Sequence, residues 1–158
     1  MAGASRLVHA TCIAVDGRGA LLLGPSGSGK SDLALRAISG TWRDGGRLLR
    51  AELVADDQVL IEPAGGSLIA RAPASIAGRL EVRGLGILEV ATLAEVRLGL
   101  AVALVGAAEV ERLADPAPTH AILGQQFPLL RLAPFEASAA LKLVLALARL
   151  PGLAVPGR

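Results

Sequence analysis

The chain has 158 residues, 53% of them hydrophobic and 19% charged, with a formal net charge of +2. That length suits one domain with a proper core, and the composition excludes disorder. The small charge and an aromatic content of 2% argue against a nucleic-acid binder, and a single cysteine, Cys12, excludes a disulfide framework or a cysteine-built zinc site.

Leu7 to Val15 is apolar except for His9 and Thr11 and reads as a first strand. Asp16-Gly17-Arg18-Gly19 is a turn, so the next run, Ala20-Leu21-Leu22-Leu23, should pair back on it as a hairpin. Gly24-Pro25-Ser26-Gly27-Ser28-Gly29-Lys30-Ser31 follows and fits G-x-x-x-x-G-K-[ST], the phosphate-binding P-loop. Asp32 to Ile38 reads as the helix that such a loop opens. Glycines let backbone N–H groups turn toward phosphate oxygens, and the helix N-terminus adds partial positive charge. Lys30 can reach the β- and γ-phosphates and the Ser31 hydroxyl can ligate Mg²⁺. The chain has fourteen arginines and only two lysines, Lys30 and Lys142. A lysine in the loop therefore marks a place that needs a compact ammonium. A nucleoside triphosphate or related polyphosphate is the expected ligand.

Ser39 to Arg50, rich in Gly and Arg, reads as an exposed loop. Leu53-Val54-Ala55 is a strand ending at Asp56-Asp57, and Val59-Leu60-Ile61 continues beyond. Pro63 to Gly66 is a turn, Leu68 to Ala70 a short strand, and Pro73 to Gly78 a connector. In Leu80-Glu81-Val82-Arg83-Gly84-Leu85-Gly86-Ile87-Leu88-Glu89-Val90 two glycines interrupt an apolar segment, as where backbone lies close to something. Leu98 to Val105 reads as a buried strand, Glu109 to Asp115 as polar, Pro116 to Pro118 as a break, and Phe127 to Leu132 as another strand. Glu136 to Leu150 is a helix of Ala and Leu closed by Pro151-Gly152. Its faces are nearly all apolar, which predicts packing on both sides or self-association. The longest hydrophobic stretch, Leu98 to Ala108, is about half of a membrane span. With no recognisable signal peptide, a soluble cytoplasmic protein is expected.

A P-loop site needs a carboxylate at the end of a neighbouring strand, beside the metal and the γ-phosphate. Asp56-Asp57 has that position, and two adjacent acids allow a division of labour. One can accept a proton from an attacking hydroxyl while the other holds the metal shell. The strand of His9 is expected to pair with the strand feeding the loop, bringing the imidazole near Asp56; His120 reads as surface. A chain without Asn cannot carry the guanine-reading N-K-x-D motif, the basic stretch Trp42 to Arg50 is short for a kinase lid, and ATPase motors are larger. A kinase of unusual type is left.

Four blocks together resemble the C-terminal catalytic domain of the bacterial HPr kinase/phosphorylases. They are His9 at its spacing before the P-loop, Gly24 to Ser31, Leu53 to Asp57, and Leu80 to Ile87, which is close to that family's E-I-R-G-L-G-I signature. The resemblance covers about residues 7 to 115. It implies an α/β fold, a single P-loop domain over residues 1–158 akin to phosphoenolpyruvate carboxykinase, with a C-terminal helix over 136–150. It further implies an ATP- and Mg²⁺-dependent serine kinase acting on HPr, the phosphocarrier of the sugar phosphotransferase system. By position, Lys30 would stabilise the transferring phosphoryl group, Ser31 and Glu81 would ligate Mg²⁺, and Asp56 would be the base, with His9 assisting. Arg112 would neutralise phosphate charge, and Arg83 to Gly86 would shape the loop over the site.

The departures carry expectations of their own. No counterpart of the family's N-terminal domain precedes His9, and the late P-G-R-N segment, associated with phosphorolysis, is replaced by Leu132-Ala133-Pro134-Phe135-Glu136. A minimal kinase with little or no phosphorylase activity is expected, with homo-oligomerisation left open. The alternatives are an ATP-binding sensor with weak transfer and a small-molecule P-loop kinase.

Overall fold

The structure is a computed structural model that describes residues 4–113 and 117–149. Among these residues thirteen strands and two α-helices are formed: β1 (Arg6–His9), β2 (Thr11–Val15), β3 (Arg18–Leu23), α1 (Lys30–Ser39), β4 (Trp42–Asp44), β5 (Arg47–Leu49), β6 (Ala51–Ala55), β7 (Gln58–Ala64), β8 (Ser67–Arg71), β9 (Arg79–Val82), β10 (Gly86–Glu89), β11 (Glu95–Leu104), β12 (Thr119–Ile122), β13 (Gln125–Leu132) and α2 (Ala139–Arg149). Strand content dominates this mixed α/β fold.

A nine-stranded sheet runs β1-β7-β8-β11-β3-β2-β6, and β13, itself paired with β12, joins it on β11. At ten residues β11 is long enough to divide one edge between two partners. Glu95 to Arg97 pair antiparallel with β8, and Ala101 to Leu104 pair parallel with β13. Its other edge pairs parallel with β3 through a register shift between Leu98 and Leu100, and the split sheet curls there. β2 is antiparallel to both β3 and β6. So β3, β6, β11 and β13 all point the same way, and their C-terminal ends gather at one end of the sheet. Open sheets of this kind bind ligands at that end.

Successive strand residues face opposite sides of a sheet. Ile13, Val15, Ala20, Leu22, Leu53, Leu100 and Val102 form one buried cluster with Leu33 and Ala37 of α1 and Leu143 and Leu147 of α2. Cys12, Ala14, Leu21, Val54, Ala101, Ile61 and Phe127 form the second, on the other face. Cover on both faces is why β2 is buried at all five positions and reads as a continuous apolar run.

Several elements differ from the sequence expectation. The first strand is two: Ala10 separates β1, paired with β7, from β2, paired with β3. The expected loop over Ser39 to Arg50 holds the β4–β5 hairpin instead. Trp42 Nε1 donates to the Ala37 carbonyl at 2.8 Å and Leu49 is fully buried, so two apolar residues anchor a polar-looking stretch. β12 was not expected. The last helix begins at Ala139 and buries one stripe, Ala139, Ala140, Leu143, Val144, Leu147 and Ala148, leaving Lys142 and Arg149 exposed. Its packing is thus one-sided. Its expected close at Leu150 to Gly152 and the polar segment's Ala114 to Pro116 lie outside the described residues. Among those described, no helix is long and apolar enough to cross a membrane.

Candidate functional site

The β3–α1 connection crosses the sheet end where the parallel strands terminate. Gly27 and Gly29 adopt φ of 81° and 100°, in the left-handed region open to residues without Cβ. Gly29 also abuts the Phe135 ring, which lies 3.0 Å from where a Cβ would stand. Lys30, only 6% exposed, folds back under the loop, and its ammonium donates to the carbonyls of Gly24 at 2.6 Å and Pro25 at 3.0 Å. An ammonium has three donors, so one is left for a ligand. Ser28 Oγ is buried inside the loop without a hydrogen-bond partner.

Three donors converge on the buried carboxylate of Asp56 from three different elements. Ser31 Oγ, in the first turn of α1, donates to Oδ1 at 2.7 Å. Thr11 Oγ1, fully buried on β2, donates to the same oxygen at 3.0 Å. The Glu81 backbone N–H, on β9, donates to Oδ2 at 3.2 Å and draws the β9–β10 hairpin to the site. Asp56 is therefore the joint between the glycine-rich loop, the sheet and that hairpin.

Asp57 faces the opposite way. The β6–β7 turn is closed by Gln58 N–H donating to Asp56 O at 2.8 Å, around Asp57 at φ 68°. This is the rare, strained form of γ-turn. Strain of this kind persists only where its surroundings over-determine it. Here Ala10 N–H donates to Asp57 O at 3.1 Å and Asp57 N–H to Thr11 Oγ1 at 3.4 Å. The result pushes the Asp57 carboxylate outward, 64% exposed, with His9 Nδ1 at 3.3 Å from Oδ1. The imidazole thus stands beside Asp57, where Asp56 had been expected. β1 leaves the β2–β3 pair and runs against β7 in a register that sets His9 opposite Gln58, next to the turn.

An open cleft of about 460 Å³ joins these groups. It is lined by Ser26, Gly27, Gly29, Lys30 and Ser31 of the loop and α1, by His9 and Asp57, by Glu81 and Arg83 of the β9–β10 hairpin, and by Phe135. Asp56 lies beneath it. Arg112 does not reach it: it is exposed, beyond a 3-10 turn at Ala107–Glu109, and is not a lining residue. Arg83 is the guanidinium at the cleft. Among the described residues no group of three or more His, Cys, Asp or Glu could hold a metal unaided. What is gathered is an incomplete set of hard oxygens, the Ser31 hydroxyl and the Asp56 carboxylate with Glu81 adjoining. Such a set fits a Mg²⁺ that completes its shell from water and phosphate.

Sequence reasoning missed Thr11 and Phe135 and assigned Asp57 no specific role. The signals were there: a threonine inside an apolar run, and an Asp, a residue that tolerates positive φ, where two strands need a three-residue turn.

Comparison with known proteins shows the family. A family model described as HPr Serine kinase C-terminal domain matches residues 2–148. An HPr kinase/phosphorylase of Clostridium beijerinckii is 44% identical over 86 residues, covering 54% of this chain and 26% of the relative. One of Clostridium perfringens is 43% identical over 93 residues, covering 59% and 27%. The chain thus matches about a quarter of the length of these curated relatives. The structure of the HPr(Ser) kinase/phosphatase from Coxiella burnetii superposes with a TM-score of 0.72 at 27% identity, over 91% of this chain and 88% of that one. With nearly its whole length matched, the chain belongs to the HPr serine kinase C-terminal domain family.

Proposed function

We propose that this chain is an ATP-dependent serine kinase domain, acting on an HPr-type phosphocarrier in the cytoplasm. The observation that carries the reading is the Ser31–Asp56 bond at 2.7 Å, beside an outward Asp57 paired with His9. It ties the glycine-rich loop to a strand-end carboxylate, as phosphoryl transfer requires, and leaves a second carboxylate free in the same cleft.

Residues 24–31 act as the P-loop, its backbone N–H groups and the α1 N-terminus receiving phosphate oxygens. The partnerless Ser28 hydroxyl and the remaining Lys30 donor suit an oxygen-rich ligand there. Ser31 and Asp56 would hold Mg²⁺, with Glu81 completing the protein's share. When bound, the metal supplies positive charge to phosphate oxygens. Lys30, held low in the loop by two carbonyls, adds charge at a fixed point, and Arg83 can add more from the hairpin.

The geometry supports moving the base from Asp56 to Asp57. Asp56 is buried outside the cleft lining, with two hydroxyls on Oδ1 and one N–H on Oδ2 that leaves room for a cation, whereas Asp57 lines the cleft and is oriented by His9. Asp57 takes the proton of the attacking serine hydroxyl as that oxygen bonds to the γ-phosphorus and the bond from phosphorus to the β–γ bridging oxygen breaks, releasing ADP, while the adjacent imidazole steadies the carboxylate. The replacement of P-G-R-N by Leu132-Ala133-Pro134-Phe135-Glu136 supports a kinase with little or no phosphorylase activity.

The test incubates the protein with Mg·ATP and HPr, with and without its target serine, and follows phosphate by mass spectrometry. Serine-dependent phosphorylation is expected. ATP binding without transfer would overturn the kinase reading in favour of a sensor. Orthophosphate-dependent release of pyrophosphate from phospho-HPr, at a rate near that of the forward reaction, would overturn the phosphorylase claim.

A further inference from the structure

We infer that Phe135 is the platform on which the base of the nucleotide stacks, an inference that rests on the proposed nucleotide site. The chain has two phenylalanines, one tryptophan and no tyrosine. Phe127 is buried in the core and Trp42 is bonded to the end of α1, while Phe135 is 72% exposed in the lining of the cleft. Other large apolar side chains are exposed as well, Leu85 and Leu113 among them, and what sets Phe135 apart is that it is aromatic and lines the polar cleft.

Its placement is rigid. Arg36 donates to the carbonyls on both sides of it, Pro134 O and, at 3.4 Å, Glu136 O, and is itself held by Asp32 at 3.0 Å. Glu136 is further bonded to Lys142 at 2.9 Å. The ring edge rests against Gly29, the residue that opens α1. Residue 135 is therefore fixed to the same helix whose N-terminus receives phosphate.

Sheet order supplies the direction. On one side of β3 stand β2 and then β6, which ends at Asp56; on the other stand β11 and then β13, which leads to Phe135. All four parallel strands end at this edge. The Ser31–Asp56–Asp57 group thus lies on one flank of the loop and Phe135 on the other. A triphosphate with its reacting end at Asp57 leaves its nucleoside end on the Phe135 flank. Every base has a π-face, so a single aromatic platform binds without selecting adenine over guanine, as expected of a chain with no base-reading motif.

The test is calorimetric titration of the wild-type protein, Phe135→Ala and Phe135→Trp with Mg·ATP and, separately, with Mg·tripolyphosphate. Wild type should bind ATP more tightly than tripolyphosphate. Phe135→Ala should lose about tenfold or more in ATP affinity and nothing toward tripolyphosphate. Phe135→Trp should retain ATP affinity. Unchanged ATP binding in Phe135→Ala, or an equal loss for both ligands, overturns the stacking role and leaves the phosphate site standing. Wild-type protein that binds neither ligand overturns the nucleotide reading, and the inference with it.

Discussion

Ser31 Oγ lies 2.7 Å from Asp56 Oδ1, and the same oxygen takes a second hydroxyl from Thr11 at 3.0 Å. A carboxylate so placed has two duties, holding three elements together and presenting oxygen at the head of α1. Removing it should expose both. In Asp56→Ala the buried Thr11 hydroxyl and the Glu81 N–H lose their acceptor, at a cost of about 1–3 kcal/mol each where water cannot replace it. Asp56→Asn retains an acceptor and most of the stability, yet no longer offers a charged oxygen to a cation. Urea denaturation should therefore rank wild type above Asn above Ala. Titration with ATP should show that Mg²⁺ no longer strengthens binding in either variant. Undiminished Mg²⁺ dependence in Asp56→Asn would remove Asp56 from the metal shell.

Asp57 should behave in the opposite manner. Its side chain is 64% exposed and, among the described residues, its one ion pair is with His9, so Asp57→Asn should leave stability nearly unchanged. Asn also tolerates the φ of 68° that the turn demands. Phosphoryl transfer should nonetheless fall about 10²-fold or more, as when a general base is lost, with ATP affinity retained. His9→Gln should cost less, since it removes the orienting partner and leaves the carboxylate. Rates and nucleotide affinities measured on both variants check this. A full loss of transfer in Asp56→Asn with Mg²⁺-dependent binding intact, and none in Asp57→Asn, would return the role of base to Asp56.

How far the chain could be read in advance follows from what each feature depends on. The glycine-rich loop was legible because every requirement is local: a strand, three glycines, Lys30-Ser31, then a helix within twenty residues. The acidic strand end was legible for the same reason. Which acid turns inward was not, because Thr11 lies 45 residues from Asp56 and the choice is made by the γ-turn and the break at Ala10. The β4–β5 hairpin was hidden by composition, since Trp42 and Leu49 are its apolar anchors and most of its other residues are exposed. Phe135 looked like a residue in a substituted motif; its meaning came from Arg36, nearly 100 positions earlier, clamping both neighbouring carbonyls.

Cys12 gives an alkaline signature. It is fully buried between the sheet and its second-face cluster, and burial pushes the thiol up to about 12 from its ordinary 9.0. Between those values the unfolded chain has lost the proton and the folded chain keeps it. The unfolded state then binds fewer protons, so stability falls as pH rises, by roughly 1.4 kcal/mol per pH unit. Below pH 9 the contribution is constant. Denaturation of wild type and Cys12→Ala across this range should show curves that converge as pH rises, because only wild type carries the slope. A thiol reagent should label native protein no faster than it unfolds. Parallel curves would mean that Cys12 meets solvent in the folded state.

An ion pair ties the last helix to the β4–β5 hairpin, and it should be acid-sensitive. Arg149 donates through Nε to Asp44 Oδ2 at 2.8 Å and through a second nitrogen to Oδ1, the paired geometry in which a guanidinium fits a carboxylate best. The bond and charge of Arg149 hold the Asp44 carboxyl below its ordinary 3.8, with Arg47 adding to the effect. A carboxyl whose value is depressed by folding contributes fully above the unfolded value and loses that contribution as pH falls through the folded one. Asp44→Asn should therefore be less stable than wild type at neutral pH, with the difference shrinking below pH 3.8. Added salt should narrow it at neutral pH, because the Arg149 side of the pair is open to solvent. Hydrogen exchange should locate the effect in the amides of Trp42 to Leu49 and the last turn of α2, leaving β3 and α1 unaltered. A difference that persists unchanged into acid would mean that Asp44 acts through packing, and the link between helix and hairpin would not be ionic.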